Sequence, residues 1–445
     1  MDFLRCSNFV CKKLIFLAAL IGVISRIYLP GPAAAEESSP SSLERIAAAD
    51  SVLGTALELM EIPSPSGHES RMAALILEKL RGLGIMAWKD DFGNLMAKIP
   101  ASPGLEKVPP LLLAAHMDMV PGDKKNPLKP IRPRLIRSGG VEWIASDGTT
   151  TLGADDKAGV AAIIDVLSRI TGKGPGFAVR HGTIEVAITR EEETTVQGAK
   201  NLETDRISSK YALILDGEKV FGVVWELAGA TEVTIRLHGG RGGHSGIDIH
   251  RPDNVNALKV MSELDMLIPQ GVVKRNERGV VTSINAGLVE GGVAINAIAP
   301  EARISYLVRT TERAAEETLL REIREAVSRV ERKYRRLQKK FRIEMNVNHI
   351  LPPWSAKSES PFFRWVQKAG ERLSGKKISP LSIHAGAEAN IYANKRNAKG
   401  EFIEPLLLGV ANLHAIHTTR ERIDWRSLIQ GRDWVLGIIR LMAEL

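Results

Sequence analysis

Cysteine is almost missing from this chain. Its 445 residues include two, Cys6 and Cys11, and both fall within the first 35 positions. A chain cleaved after that point has no disulfide, no thiol nucleophile and no thiolate metal ligand. Any metal site must then be built from His, Asp and Glu. Aromatic residues are also scarce, at 5%, and nearly absent from the basic stretch 321–342. A nucleic-acid surface there would lack stacking partners, so the stretch reads as a solvated helix face and no nucleic-acid partner is expected. No segment repeats at a fixed period, which excludes a solenoid. The apolar run Leu14–Ser25 is broken by Arg26, short of the ~20 residues a membrane-spanning helix needs.

That run belongs to a segment, 1–35, that reads as a signal peptide. Lys12 and Lys13 form the positive region, Leu14–Ser25 the apolar core, and Ala33-Ala34-Ala35 the small-residue cleavage site before Glu36. Cleavage would leave an exported chain, periplasmic or secreted, with no stable membrane span. The other reading is an uncleaved anchor. The rest of the chain is ordinary for a globular protein, 44% hydrophobic and 25% charged, and its length suits two domains. The formal net charge is +8, and Arg5, Lys12, Lys13 and Arg26 against Asp2 supply three of these charges.

Beyond the leader, strands and helices alternate. Helices are predicted over Ser51–Met60, Glu69–Leu83 and Val160–Ile170, and apolar strands over Leu111–Ala115, Thr183–Thr189 and Tyr211–Leu215. This pattern implies an α/β domain with a largely parallel sheet. Near Ala230 the order changes to strand (Thr231–Leu237), helix (Asn254–Leu267), strands (Val280–Leu288, Ala302–Val308), helix (Glu312–Leu337) and strand (Phe341–Val347). That is the order of a ferredoxin-like (βαββαβ) module. After Pro352 the first pattern resumes, with helix Pro361–Leu373, strand Pro405–Leu408 and helix Asp424–Leu441. The expected organisation is a catalytic domain in two parts, 36–229 and 348–445, with an inserted domain, 230–347.

The chemistry lies where these strands end. Leu111–Ala115 runs into His116-Met117-Asp118, and residues two apart in extended chain face the same side. A ligand His commonly hands its other ring nitrogen to a carboxylate, a role that suits Asp118. Asp155-Asp156 precedes the apolar helix, where acids also serve as simple caps. Thr183–Thr189 runs into Arg190-Glu191-Glu192-Glu193, whose adjacent carboxylates repel unless a cation is near; a solvated acidic loop is the plainer reading. Tyr211–Leu215 ends in Asp216-Gly217, and Pro405–Leu408 leads to His414-Ala415-Ile416-His417. Taken singly, each has a plain structural reading. Together they place metal-competent residues beyond the carboxyl ends of strands, where open α/β sheets bind ligands. Two His and several carboxylates suit zinc, cobalt or manganese. Five ligands exceed one tetrahedral zinc, whereas two metals sharing a bridging carboxylate use them all.

These motifs give the resemblance. The segments Leu113–Asp118, Leu152–Gly159, Glu192-Glu193 with Gly198-Ala199-Lys200, and Asp216-Gly217 resemble the tripeptide aminopeptidase (peptidase T) family of di-zinc exopeptidases and its relatives, the aminoacyl-histidine dipeptidases and carboxypeptidases. The resemblance spans essentially the whole chain after the leader. It implies hydrolysis of short peptides by a homodimer holding two Zn2+ ions, with Co2+ or Mn2+ as alternatives, and an inserted domain that makes the dimer contacts. It implies that His116 and Asp216 hold one metal, Glu193 and His417 the other, and Asp155 bridges them, with a cis peptide between Asp155 and Asp156. Asp118 orients His116, and Glu192 is the general base. Here the acidic triplet is Glu191-Glu192-Glu193 rather than the Asp-Glu-Glu usual in the family; the spacing to Gly198 assigns the functional pair to Glu192 and Glu193. The resemblance further implies that His244, in Gly242–Gly246, stabilises the oxyanion in the partner subunit's site, and that Asn296 and Arg309 contact substrate oxygens. His384 and Gly386 lie in a His-Ala-Gly segment of the dipeptidase type, while the bridging segment is of the peptidase T type, so substrate length stays open. An N-acyl-amino-acid amidohydrolase, a carboxypeptidase and a non-catalytic binding protein are the alternatives on the same fold.

Overall fold

The computed structural model describes residues 40–444 except 177 and 358. The segment read as a signal peptide, with Cys6, Cys11 and its cleavage site, lies outside the described residues. Among the described residues, no helix is long and apolar enough to cross a membrane.

The chain opens with helices α1 (Pro40–Ala49), α2 (Ser51–Met60) and α3 (Ser70–Gly82). Strands β1 (Ala87–Lys89), β2 (Leu95–Ile99) and β3 (Leu111–His116) follow, then the pair β4 (Arg134–Ser138) and β5 (Val141–Ala145). Helix α4 (Ala154–Ile170), β6 (Ile184–Thr189), the short α5 (Gln197–Asn201), β7 (Tyr211–Gly217) and β8 (Val223–Leu227) complete the first part. A second unit then runs through β9 (Gly229–His238), α6 (Ala257–Asp265), β10 (Gly271–Asn276), β11 (Gly279–Gly291), β12 (Ala302–Thr310), α7 (Arg313–Arg335) and β13 (Arg342–Leu351). The chain returns through β14 (Trp354–Ser355), α8 (Pro361–Ser374), β15 (Pro380–Ile383), α9 (Glu388–Tyr392), β16 (Glu404–Gly409), β17 (Asn412–His414), β18 (Arg422–Asp424) and α10 (Trp425–Ala443).

The main sheet has the order β1-β2-β6-β3-β7-β16-β8-β14, with β15 also on β8. Its centre, β6-β3-β7-β16, is parallel, so the carboxyl ends of these strands open at one edge. All six residues of β3 are buried. Leu111, Leu113 and Ala115 pack with residues of α2, α4 and α10, while Leu112 and Ala114 pack with residues of α5 and α9. Helices cover both faces, which explains why these strands read as unbroken apolar runs rather than alternating ones.

In the second sheet the order is β10-β11-β12-β9-β13 and every pairing is antiparallel. Set aside β10 and the order is that of a ferredoxin-like module, with α6 and α7 over a core of its own. The extra edge strand β10 is exposed at all six residues and carries no burial pattern for the sequence to display. A third, small antiparallel sheet, β17-β18-β5-β4, was also not expected from the sequence. Its strands have three to five residues, too few for a period to register. Helix α4 begins at Ala154, before the predicted Val160, but Asp155 and Asp156 have non-helical backbone angles.

A buried ion cluster ties the helices behind the site. Arg432 of α10, 2% exposed, donates to both oxygens of Asp50 at 3.0 and 2.9 Å and pairs with Asp165 of α4. Asp165 also accepts from Arg169 at 2.8 Å and from Ser51. Replacing Arg432 by Ala leaves Asp165 buried with too little counter-charge. The expected loss is about 3–5 kcal/mol, read as a lower denaturant midpoint in an unfolding titration.

Candidate metal centre

Four strand ends and one helix start converge at the open edge of the main sheet. His116, the last residue of β3, is 1% exposed. Its Nδ1 lies 3.1 Å from the backbone oxygen of Asp118 and 3.4 Å from that residue's carboxylate. A carbonyl oxygen only accepts, so Nδ1 carries the proton and donates it. The lone pair of the neutral ring is then on Nε2, which faces Asp155 at 3.3 Å and Asp216 at 3.6 Å. His417 presents its Nε2 to Asp155 at 3.1 Å and to Glu193 at 3.0 Å. The two oxygens of Asp155 are thus divided, Oδ1 towards His116 and Oδ2 towards His417. This is the disposition a bridging carboxylate requires.

The backbone around these ligands is constrained. The Asp155-Asp156 peptide is cis, and His417 and Ala415 lie at φ 60° and 55°, a left-handed region uncommon for residues with a side chain. Asp156 accepts from the backbone N–H of His116 at 3.3 Å and of Gly159 at 3.0 Å. A Cβ on Gly159 would lie 2.5 Å from the Asp156 carboxylate and 2.7 Å from the oxygen of Leu215, so glycine alone fits there. Asp118 does more than orient His116. Its carboxylate accepts from the backbone N–H of Glu192 at 2.9 Å and of Glu193 at 3.1 Å, and from Ser66 at 2.7 Å.

Charge defines the site's demand. Six carboxylates (Asp155, Asp156, Glu192, Glu193, Asp216, Glu388) crowd around two imidazoles. Burial, then the charge of Asp155, pushes Asp216 up to about 7. Burial also pushes Glu388 up to about 7. It raises Glu192 well above the usual carboxylate range, helped by the charges of Asp216, Glu388 and Glu193. Hydrogen bonds to Asp155 and Glu193 lift His417 to about 10. Burial opposes charging of His116, but its bonds to Asp118, Asp155 and Asp216 outweigh this and raise it well above its ordinary value. Such a cluster takes up cations, as protons or as metal. His116, Asp155 and Glu193 offer donor atoms all within 4.8 Å of one another, as do His116, Asp156 and Asp216. The donor set of nitrogen and oxygen, without sulfur, fits zinc, cobalt or manganese.

A cavity of ≈ 350 Å³ opens beside this cluster, with His116, Asp155, Glu192, Glu193, Asp216 and His417 in its wall. Val224, Leu227, Leu381, Ile383 and Leu407 add an apolar side, and Gly386 also lines it. His384 stands next to this wall, its Nε2 2.7 Å from the hydroxyl of Ser283. Ser283 pairs across the strands with Arg309, whose charge, after burial, holds His384 below its ordinary value. Gly386 thus lines the cavity and His384 adjoins its wall, while Arg309, outside the wall, lies near His384. His244 and Asn296 are not in its wall. They lie together in the exposed connections that follow β9 and β11, where Ser245 N donates to Asn296 O at 2.9 Å and His244 pairs with Ala297.

Three residues here were given no role from the sequence. Glu388 is 1% exposed and adds a carboxyl behind Asp216. Lys157, 0% exposed, donates to the Ile62 carbonyl at 2.7 Å, and burial pushes its amine down to about 7. Glu421, 1% exposed, accepts from three backbone N–H groups, of Leu152, Gly153 and Asp155. An acid four positions after His417 was the signal available for Glu421.

The sequence model described as Peptidase family M20/M25/M40 matches residues 112–441. Among curated proteins, the uncharacterized protein YqjE of Bacillus subtilis is 26% identical over 399 residues, covering 87% of this chain and 97% of that one. A peptidase T of Geobacillus kaustophilus is 24% identical over 411 residues, covering 86% and 93%. Among solved structures, the aminopeptidase PepT of Bacillus cereus superposes with a TM-score of 0.75 at 27% identity, covering 88% of this chain and 98% of that one.

Proposed function

This chain belongs to peptidase family M20/M25/M40, and from that premise we propose that it removes the amino-terminal residue from tripeptides or dipeptides, using two zinc ions bridged by Asp155. Metal-dependent exopeptidase chemistry is the activity of this fold and family. The observation that supports two metals is the division of the Asp155 oxygens between His116 and His417. His116 and Asp216 would hold one ion, and Glu193 and His417 the other. Bound there, the pair would supply a water of lowered pKa and a Lewis acid for the scissile carbonyl.

The remaining steps belong to the chain's own groups. Glu192 faces the cavity with a carboxylate that burial makes more basic. It takes a proton from the attacking water and delivers it to the departing peptide nitrogen, as a general base and then acid. His384, beside the cavity wall, and Arg309, near His384, suit the substrate's carbonyl or carboxylate oxygens. Mass-spectrometric digestion of a peptide set tests the reading. Free-amine tripeptides or dipeptides should lose one residue while amino-terminally acetylated copies persist. Cleavage of the acetylated copies would move the assignment to an acylase or carboxypeptidase.

The working unit is a homodimer, exported through the leader 1–35. The connections that carry His244 and Asn296 also expose Ile247, Ile249, Val293 and Ile295, the last two at 83% and 104%. An apolar patch of this kind marks a protein contact, and a second copy would bring His244 to a site it does not reach within its own chain. Sedimentation of the wild type should give twice the chain mass, and Val293→Asp with Ile295→Asp should give the monomer with lowered kcat. A monomeric wild type with full activity would contradict this.

A further inference from the structure

The chain holds its bridging ligand and its outermost ligand with one buried carboxylate. Glu421 Oε2 accepts from the backbone N–H of Leu152 and Gly153, each at 2.9 Å, and Oε1 accepts from Asp155 N at 3.1 Å. All three donors belong to the turn that leads into α4, and one of them is the N–H of the bridging residue itself. Glu421 also closes the loop that carries His417: its own N–H donates to the Thr418 carbonyl at 3.1 Å, and Thr418 Oγ1 donates to Ala415 O at 2.7 Å. The two loops are 262 residues apart in sequence at the His417–Asp155 contact. Below them lies Lys157. Its Nζ, anchored on Ile62 O, stands 3.1 Å from Met119 Sδ.

The geometry points to Glu421 as a positioning residue that fixes Asp155 and His417 relative to one another, and so sets the affinity of the His417–Glu193 metal position in particular. This rests on the two-metal reading above. The other position depends less on it, because His116 is fixed by the Asp118 carbonyl and the Asp156 carboxylate, neither of which touches Glu421. Without Glu421, three backbone N–H groups lose their acceptor, and the loop holding His417 at a left-handed φ loses its tether. Outer partners of metal ligands change affinity by roughly 10–100-fold when removed.

The test is calorimetric zinc titration of metal-free full-length Glu421→Gln and Glu421→Ala beside the wild type, with kcat and KM for a tripeptide at low and high free zinc. The proposal expects two sites in the wild type. In the variants, the His417–Glu193 site should weaken at least 10-fold and the other by clearly less, with kcat restored by raised zinc and KM little altered. The Gln variant keeps the size and one acceptor oxygen, so it should fold and show the smaller shift even if the Ala variant does not fold. Two sites of wild-type affinity in the Gln variant would overturn the role of Glu421. So would a loss shared equally by both sites, or activity that excess zinc does not restore. A wild type that binds one ion would instead remove the two-metal reading itself.

Discussion

Replacing Glu192 by Gln lowers kcat by roughly 10²–10⁴-fold, the range general acid–base catalysis contributes, while both metal ions stay bound. The substitution keeps size and polarity and removes the proton acceptor. Metal retention is expected because Glu192 is held through its backbone: its N–H donates to Asp118 Oδ1 at 2.9 Å, a bond the variant keeps. Nor is Glu192 one of the residues whose donor atoms crowd His116 within ligand distance. Steady-state kinetics with elemental analysis of the purified variant decides the matter. A variant that keeps kcat within a few-fold of wild type would remove Glu192 as the base. One that loses a metal ion would make it a ligand, shifting the functional pair by one residue.

Replacing Asp155 by Ala abolishes measurable turnover and strips both ions. In the proposed two-metal site the carboxylate is shared, so its loss would leave His116 with Asp216 on one side and Glu193 with His417 on the other. Catalytic zinc sites ordinarily keep three protein ligands, and neither remaining pair supplies them. Affinity should fall by more than roughly 100-fold at both positions, beyond the loss an outer partner causes. The fold should survive, because the backbone N–H of residue 155 still donates to Glu421 and the variant removes one of several crowded negative charges. Elemental analysis after dialysis and a far-ultraviolet circular dichroism spectrum check both halves. Retention of one tightly bound ion would show that Asp155 serves a single metal. Retention of two would assign the bridge elsewhere, Asp156 being the nearest candidate because it shares a donor group with His116 and Asp216.

The contrast between these residues and Glu421 shows what a sequence displays. His116, Glu193, Asp216 and His417 were legible because each follows an apolar run, and Asp155 because it precedes one; buried runs stand out. The parallel centre β6-β3-β7-β16 was legible for the same reason. Glu421 and Lys157 work on backbone N–H and carbonyl groups, which have no sequence signature, and each looks like an ordinary charged residue until its burial is seen. Asp118 was read as the partner of His116, yet its carboxylate also accepts from the backbone of Glu192 and Glu193, a long-range contact that spacing does not encode. The small sheet β17-β18-β5-β4 and the edge strand β10 are too short or too exposed to carry a period. His244 and Asn296 came from resemblance alone, and within one chain they stand in exposed connections outside the cavity wall, where a second copy of the chain is the proposed occupant.

The most direct measurement is a zinc titration of metal-free protein followed by the rate of tripeptide hydrolysis. The account predicts no turnover without metal, activity that rises to its plateau as the second equivalent binds, and one residue released from the amino end. A plateau reached at one equivalent, or two equivalents bound with no peptide cleaved, would contradict it.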